Sequence, residues 1–562
     1  MNRYLKKGLS IFLSSLMVLS ITVGCTQKQQ PANATPTNSA TQSATPGNET
    51  PSNEPTSAYP IKTDYTLKFW SQMNPNLLGV ADNLGETPLG KEIEKQTGVK
   101  VIYIHPTQGQ ERDQFNIMLV SGEIPDIVEF NWASEYPGGP EKAIADSLIL
   151  PLNEAIDKYS PNLKKLIAED PALEKQLKTD NGNFYNYPMI RVSTIARVFR
   201  GPIIRKDWLD ELNLPLPVTI DDWYITLKAF KDKKGATAPF VAEYTQSSGN
   251  TGYVNNSGMS LYDTFVGAYQ TSDGFYVNDE GKVKYGPIEP QYKEFLTTFR
   301  KWYEEGLIEK EFALSDKKNM ESKMLGDKSG ATVGLLSGVI GKMMDNMKSK
   351  NPSFNLVGAT YPVLKAGDTP FSGQADDLYN PKASAAIMTS CKNVEVAAKW
   401  LDFAYSEAGS LVYNFGIEGE SYKMVDGYPK VTEFIMKNPD GKPFTQMQPQ
   451  YMKLNGAFAV DPRASEQVMA YPQMPEASNR WSQTNAKLHN LPACLTPTTE
   501  ESKELATIIT NTNAYAAQMF SKFVMGVEPL DNFDKFVEEM KKMGIERAIE
   551  IRQNSYERYK AR

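Results

Sequence analysis

Residues 65–70 read YTLKFW, 86–97 ETPLGKEIEKQT, 99–105 VKVIYIH, 110–121 QERDQFNIMLVS and 125–130 PDIVEF. The first, third and fifth are short, apolar and aromatic, as strands are, and the second and fourth are amphipathic and long enough for helices. Gly98 stops the first helix. Strand, helix, strand, helix, strand is the pattern of a mostly parallel sheet covered on both faces. Such sheets bind ligands at the carboxyl ends of their strands. The residues just past those ends run from Trp70 to Asn74, then Asn131, Trp132, Glu135 and Tyr136. Trp70, Asn74 and Trp132 are therefore candidate ligand contacts.

The α/β pattern continues outward from this core. Ile204–Leu209 (IRKDWL) reads as the opening of a helix. Thr219 is placed as an N-cap with Asp222 at N3, a capping-box variant whose helix runs to about Lys231. Asn278–Lys282 reads as a hairpin turn, and a long helix follows over 289–306. Strands are predicted over 331–336, 354–359 and 383–388, a helix over 394–405, and mostly helix from 497 onward. Trp208, Trp223, Trp302 and Trp400 lie on amphipathic helices and read as core. No repeat of 20–50 residues is present.

The chain begins MNRYLKKGLSIFLSSLMVLSITVGCTQK. Arg3, Lys6 and Lys7 precede an apolar stretch from about Leu9 to Val23, the charge and length pattern of a signal peptide. Gly24-Cys25 at its end resembles the lipobox of bacterial lipoproteins, with Thr22 where leucine is commonest. That resemblance implies cleavage after residue 24 and lipidation of Cys25. Residues 26–60 are rich in Thr, Ser, Pro, Asn and Gln, too polar to offset chain entropy by burial, and are expected to be a disordered tether. No later stretch reaches 18 consecutive apolar residues, so the chain is expected to be anchored to a membrane and not to span it.

Composition narrows the chemistry. The 562 residues carry a net charge of −7 without a long basic run, which argues against nucleic-acid binding. The length suits two to four folding units or two large lobes. Beyond Cys25 only Cys391 and Cys494 remain, and the two histidines, His105 and His489, are isolated, so neither a thiolate zinc site nor a histidine-based triad is supported. Asp180–Asn183 and Asn278–Gly281 each approach a calcium loop, but neither completes its pattern, and both read as turns. No metal or cofactor is expected.

Ser121–Val128 (SGEIPDIV), Ile204–Leu209 (IRKDWL), Pro217–Phe230 (PVTIDDWYITLKAF), Asp279–Pro287 (DEGKVKYGP), Trp302–Leu307 (WYEEGL), Ala397–Ser406 (AAKWLDFAYS), Phe415–Tyr422 (FGIEGESY) and Gly526–Asp534 (GVEPLDNFD) follow one another, with Tyr556–Tyr559 (YERY) last. Each motif is weak alone. The ordered set, covering nearly the whole mature chain, resembles extracellular solute-binding proteins, family 1, the sugar-binding components of ATP-driven importers. It looks most like the long lipoprotein members of Bacillus- and Paenibacillus-type bacteria.

The resemblance implies a two-lobed periplasmic-binding-protein-like fold of type II. Each lobe is a mostly parallel sheet flanked by helices, with a ligand cleft between them. Lobe 1 is expected over 61–190 and 361–425, and lobe 2 over 191–360 and 426–562. It also implies a monomeric receptor on the outer face of the cytoplasmic membrane, binding a carbohydrate for the permease subunits of an ABC importer.

Sugars are held by aromatic rings against their C–H faces and by planar polar groups at their hydroxyl rims. On that basis Glu135, Tyr136, Tyr244, Tyr269, Gln374, Asp376, Asp377 and Trp481 join the candidate contacts. Two other readings stay open: a secreted carbohydrate-active enzyme, which needs only two carboxylates, and a receptor for another solute such as a peptide.

Overall fold

The computed structural model describes residues 59–133, 135–244, 264–374, 377–492 and 494–562. The signal segment, Cys25, the tether as far as residue 58 and the candidate Asp376 lie outside the described residues. Tyr59, assigned to the tether, already belongs to the body: its ring meets Phe403 edge-on at 5.0 Å and its hydroxyl donates to the Lys399 carbonyl.

Two sheets organise the body. The first begins with β1 (Leu67–Trp70), β2 (Val101–Ile104), β3 (Ile127–Phe130) and β4 (Tyr187–Arg191). The second is built on β5 (Arg200–Arg205), and β6 (Phe275–Val277) and β7 (Val283–Tyr285) form a separate hairpin. β8 (Ala331–Leu335) and β9 (Leu356–Gly358) flank β5. β10 (Tyr379–Ile387) returns to the first sheet, β11 (Tyr422–Val425) pairs with β12 (Tyr428–Val431), and β13 (Phe458–Val460) completes the first sheet.

The first sheet has the order β13-β4-β10-β3-β1-β2. β1 is parallel to β2 and β3, and β13 to β4, while β10 runs antiparallel to both β3 and β4. One reversed strand thus interrupts an otherwise parallel sheet. The second sheet repeats the device: β5 is antiparallel to β8 and β9, and Phe240 extends the sheet with parallel bridges to Ala331 and Ile308. Each reversed strand is the first one the chain forms after passing from one sheet to the other.

Separate cores pack on the two sheets. Leu67, Phe69, Ile127, Tyr187, Ile387 and Trp400 are buried together on the first, and Ile204, Trp208, Trp223, Phe240, Trp302 and Val333 on the second. The four tryptophans predicted as core are all buried.

Local chemistry accounts for the element ends. Thr87 caps the helix Pro88–Thr97, and Gly98 closes it in the left-handed conformation (φ 70°). At Thr219 both capping-box bonds form, Asp222 N donating to Thr219 Oγ1 (3.1 Å) and Thr219 N to Asp222 Oδ2 (2.9 Å). Those backbone donors hold the Asp222 carboxyl below the usual carboxylate range. This helix runs on to Lys234, past the expected end.

IRKDWL is a correction: Ile204 and Arg205 finish strand β5, and the helix starts at Lys206. Ile203 and Ile204 enter different cores on the two sheet faces, so a strand buried on both sides shows no alternation in sequence. Phe458–Val460, expected in lobe 2, pairs in the first sheet.

Among the described residues the chain passes between the sheets from β4 to β5, from β9 to β10, and from β13 into the helix Gln473–Trp481, which packs on β9, and it touches the first core again at Cys494. The first two passages are laced together. Gln374 Oε1 accepts from both Phe199 N and Arg200 N at 2.8 Å, Tyr361 Oη donates to the Arg200 carbonyl (2.9 Å), and Arg191 N donates to the Leu378 carbonyl (2.8 Å).

The final helix, Ile545–Ala561, adds a tie. Ile545, Ala548 and Ile551 enter the second sheet's core, while Tyr559 packs against the first's. Arg558 Nε and Arg562 Nη2 donate to Asp180 at 2.8 and 2.5 Å.

Candidate functional site

The carboxyl ends of β1 and β3 open into a cavity of about 400 Å³, inside the roughly 300–1,000 Å³ range of small-molecule sites. β1 contributes Trp70 and the following Gln72; β3 contributes Glu129, Phe130 and the following Asn131. The first turn of helix Glu111–Ser121 supplies Glu111, Arg112 and Asp113, and Asn455 comes from the loop before β13. Glu135 completes the wall.

The cavity's back is an aromatic stack. Phe115 and Phe130 lie face to face with centroids 4.0 Å apart, Trp70 meets each at 6.2 Å, and Trp132 meets them edge-on at 5.6 and 5.7 Å. Such packing fixes the strand tips rigidly. Within this frame two buried polar side chains are incompletely served by the protein. Asn131 is 4% exposed and its Oδ1 has no hydrogen-bond donor; Glu129 is 8% exposed and its Oε2 has none either, only the Lys453 ammonium at 3.7 Å. Buried acceptors left without donors are costly, and both of these residues belong to the cavity's lining.

Gly456 makes room for this arrangement. Its φ is +109°, and a Cβ there would stand 2.3 Å from Glu129 Oε2. A second, smaller cavity of about 120 Å³ adjoins the first, sharing Gln72 and Asn455 with it, and reaches Asn74, Leu77 and Lys453. Together they make a groove longer than one site.

The candidates fare unequally. Trp70 and Glu135 line the main cavity and Asn74 the smaller one, where its Oδ1 also accepts from Asn76 N. Tyr136 stands behind Trp132 and donates its hydroxyl to Asp146 (2.7 Å).

Three candidates are core residues. Trp132 is wholly buried with Nε1 donating to the Val128 carbonyl, and Tyr269 is buried with its hydroxyl on Thr298. Trp481 is wholly buried and donates Nε1 to the Ala359 carbonyl (2.9 Å). A polar sequence neighbourhood suggested a loop for Trp481, but it is the last residue of an amphipathic helix that turns the indole inward. Tyr244 packs edge-on against Phe312 in the second core, its hydroxyl 3.2 Å from Ser521 Oγ. Gln374 spends its carbonyl oxygen on the lacing between passages, and Asp377 lies in the same passage.

Reasoning from sequence missed Glu129, Arg112 and Asn455. The signal for Glu129 was available: a lone carboxylate inside an otherwise apolar strand, IVEF.

The Asp180–Asn183 turn does not suit a calcium ion. The Asp180 carboxylate is taken by Arg558 and Arg562, and that of Glu141 receives the Thr179 hydroxyl and the amides of Asn181 and Asn183. Among the described residues no three His, Cys, Asp or Glu side chains converge as metal ligands, and no helix is long and apolar enough to cross a membrane.

Two sheets, each with a single reversed strand after a passage, and a polar cavity at parallel strand tips define the two-lobed type II binding-protein fold. The model of the family described as "Bacterial extracellular solute-binding protein" matches residues 83–410, and the chain belongs to that family. It is 26% identical over 533 residues, 90% of this chain and 92% of the relative, to the fructooligosaccharide ABC transporter substrate-binding protein FusA of Streptococcus pneumoniae. It is 24% identical over 343 residues, 59% of this chain and 63% of the relative, to the polygalacturonan/rhamnogalacturonan-binding protein YtcQ of Bacillus subtilis. The crystal structure of the alginate-binding protein AlgQ2 without calcium ion superposes with a TM-score of 0.69 at 24% identity, covering 88% of this chain and 99% of that one.

Proposed function

We propose that this chain is an extracytoplasmic receptor that captures an oligosaccharide in the groove at the strand tips and delivers it to the permease subunits of an ABC importer, without chemical turnover. The observation that carries the reading is the main cavity itself: an aromatic wall at Trp70 beside buried acceptors on Asn131 and Glu129 that await donors. Sugar hydroxyls are such donors, and sugar C–H faces suit the ring. The continuation of the groove past Gln72 and Asn455 suits a ligand of more than one ring. The names of FusA and YtcQ, both binders of polymeric or oligomeric sugars, favour the same class.

In this reading the first lobe carries the six-stranded sheet and the second the sheet built on β5. The passages between the sheets form the hinge, and closure covers the ligand. Trp70, Glu129, Asn131, Glu135 and Asn455 make the contacts, and Asn74 serves a further ring. Lipidation of Cys25 holds the receptor, as a monomer, outside the cell.

Titration calorimetry of the purified chain against plant and microbial oligosaccharides, with chromatography of the sugar afterwards, tests both parts. Saturable binding with intact sugar is expected. Absence of binding across the panel, or cleavage of the bound sugar, overturns the reading.

A further inference from the structure

The two cavities of the groove differ in kind. Trp70 and Phe130 are the large apolar side chains among the described residues lining the main cavity, and most of the others are polar or charged. Of the described residues lining the smaller cavity, eight are Leu, Met or Pro. Three of these are fixed in packed elements. Leu77 ends the short turn Pro75–Leu77, and Leu89 stands in the first turn of helix Pro88–Thr97. Met452 closes helix Phe444–Tyr451, donating its N–H to the Gln448 carbonyl (2.8 Å). All three are buried. The aliphatic floor they make is therefore formed before any ligand arrives.

Size decides what this floor can hold. An apolar cavity of roughly 150 Å³ accepts benzene, a bare six-membered ring. The smaller cavity measures about 120 Å³, so a sugar ring with its hydroxyls does not enter it, and only a substituent of that ring does. A hydroxymethyl group would set its hydroxyl against aliphatic side chains that offer it no partner. A lone methyl would leave most of the space unfilled, since at roughly 30 Å³ per water-sized group the cavity takes about four heavy atoms.

An acetyl group with its linking nitrogen or oxygen has that size. Its methyl suits the floor, and its carbonyl asks for a hydrogen-bond donor. The side-chain amides of Gln72, Asn74 and Asn455 line the same cavity, and such amides both donate and accept. Gln72 and Asn455 also line the main cavity. A ring lying across this junction thus keeps its body in the main groove and sends its substituent into the smaller cavity.

We infer that the smaller cavity is an acetyl-binding subsite and that the oligosaccharide captured by this receptor is acetylated. The inference rests on the capture reading above and adds a substituent to the ligand. Nitrogen-linked and oxygen-linked acetyl groups share the chemistry that the cavity recognises, and matched probes tell them apart.

The test is calorimetry on the full chain in detergent with two pairs of sugars. Chitotetraose is set against cellotetraose, which differs from it only in carrying a hydroxyl where each ring has an acetamido group, and O-acetylated xylotetraose against xylotetraose. At least one acetylated probe is expected to bind at least about fivefold more tightly than its plain counterpart, equivalent to roughly 1 kcal/mol. A preference in the first pair identifies a nitrogen link, and one in the second an oxygen link. Leu454→Phe and Leu84→Phe narrow the cavity from two separate segments, and each should bring the preferred pair to within about twofold. Plain sugars that bind as tightly as their acetylated partners, or a preference that survives in both variants, overturn the inference and leave the capture reading standing. Failure of every probe overturns both.

Discussion

Gly456 shows how far a single residue decides this site. Alanine there must adopt φ +109° and place its Cβ 2.3 Å from the Glu129 carboxylate. Gly456→Ala is expected to cost roughly 1–3 kcal/mol, seen as a lower Tm, and to abolish the ligand-induced rise in Tm, because Glu129 has to move.

His105 acts beside it. Its Nδ1 donates to the Ser71 carbonyl (2.8 Å) and its Nε2 accepts from Leu84 N (3.1 Å), so only the neutral ring serves both. Burial, reinforced by the Lys453 ammonium, lowers its protonation range below the ordinary 6.5. The folded value lies under the unfolded one, so its stabilisation is complete above pH 6.5 and is lost as the pH falls through the folded value. Wild type is expected to lose more Tm between pH 7.5 and 5 than His105→Gln, as read by thermal denaturation.

Burial pushes both Cys391 and Cys494 up to about 12. Neither should react with iodoacetamide at pH 8 in the native protein, and both should react once it is unfolded, as counted by mass spectrometry. At this scale the sequence told little. Trp70 and Glu135 were legible from their place after strands, whereas the burial of Trp132 and Trp481 depends on partners distant in the chain.

Elements were far more legible. The first three strands, the capping box at Thr219 and the hairpin at Asn278 all follow from local periodicity and turn chemistry, and all form. Strand β5 escaped because both of its faces are covered, which removes the alternation that betrays a strand. The helix Gln473–Trp481 escaped because its apolar face is narrow: Met474, Ala477 and Trp481 alone.

That helix is nevertheless tightly keyed to β5, since a Cβ at Gly201 would fall 2.6 Å from the Trp481 indole. Gly201→Ala should cost roughly 1–3 kcal/mol by overpacking, and Trp481→Ala roughly 3–5 kcal/mol by leaving a void, with or without sugar. Trp70 is also buried, at 4% exposed, so Trp70→Ala should likewise lower Tm by leaving a void, and should in addition remove the sugar-dependent rise in Tm. In calorimetric scans this contrast separates a wall of the groove from a pillar of the core.

At the scale of the whole molecule the discontinuous order of the chain was readable only through the ordered motifs. The family they resemble implies two lobes, but nothing local shows that Phe458–Val460 goes back to the first sheet, because a three-residue strand carries too little pattern. The passages between sheets depend on Gln374, whose oxygen serves two backbone donors at once. Gln374→Ala strands both N–H groups and should cost roughly 1–3 kcal/mol, with faster amide exchange at Phe199 and Arg200 as the direct readout.

The grip of Arg558 and Arg562 on Asp180 bears on how such a body can flex. Passages of single chain alone would let the halves swing about several axes. A further fastening, made of guanidiniums and offset from those passages, removes most of that freedom. Any displacement of one half against the other is then least at Asp180 and grows with distance from it, so the two halves part most at the rim opposite that fastening.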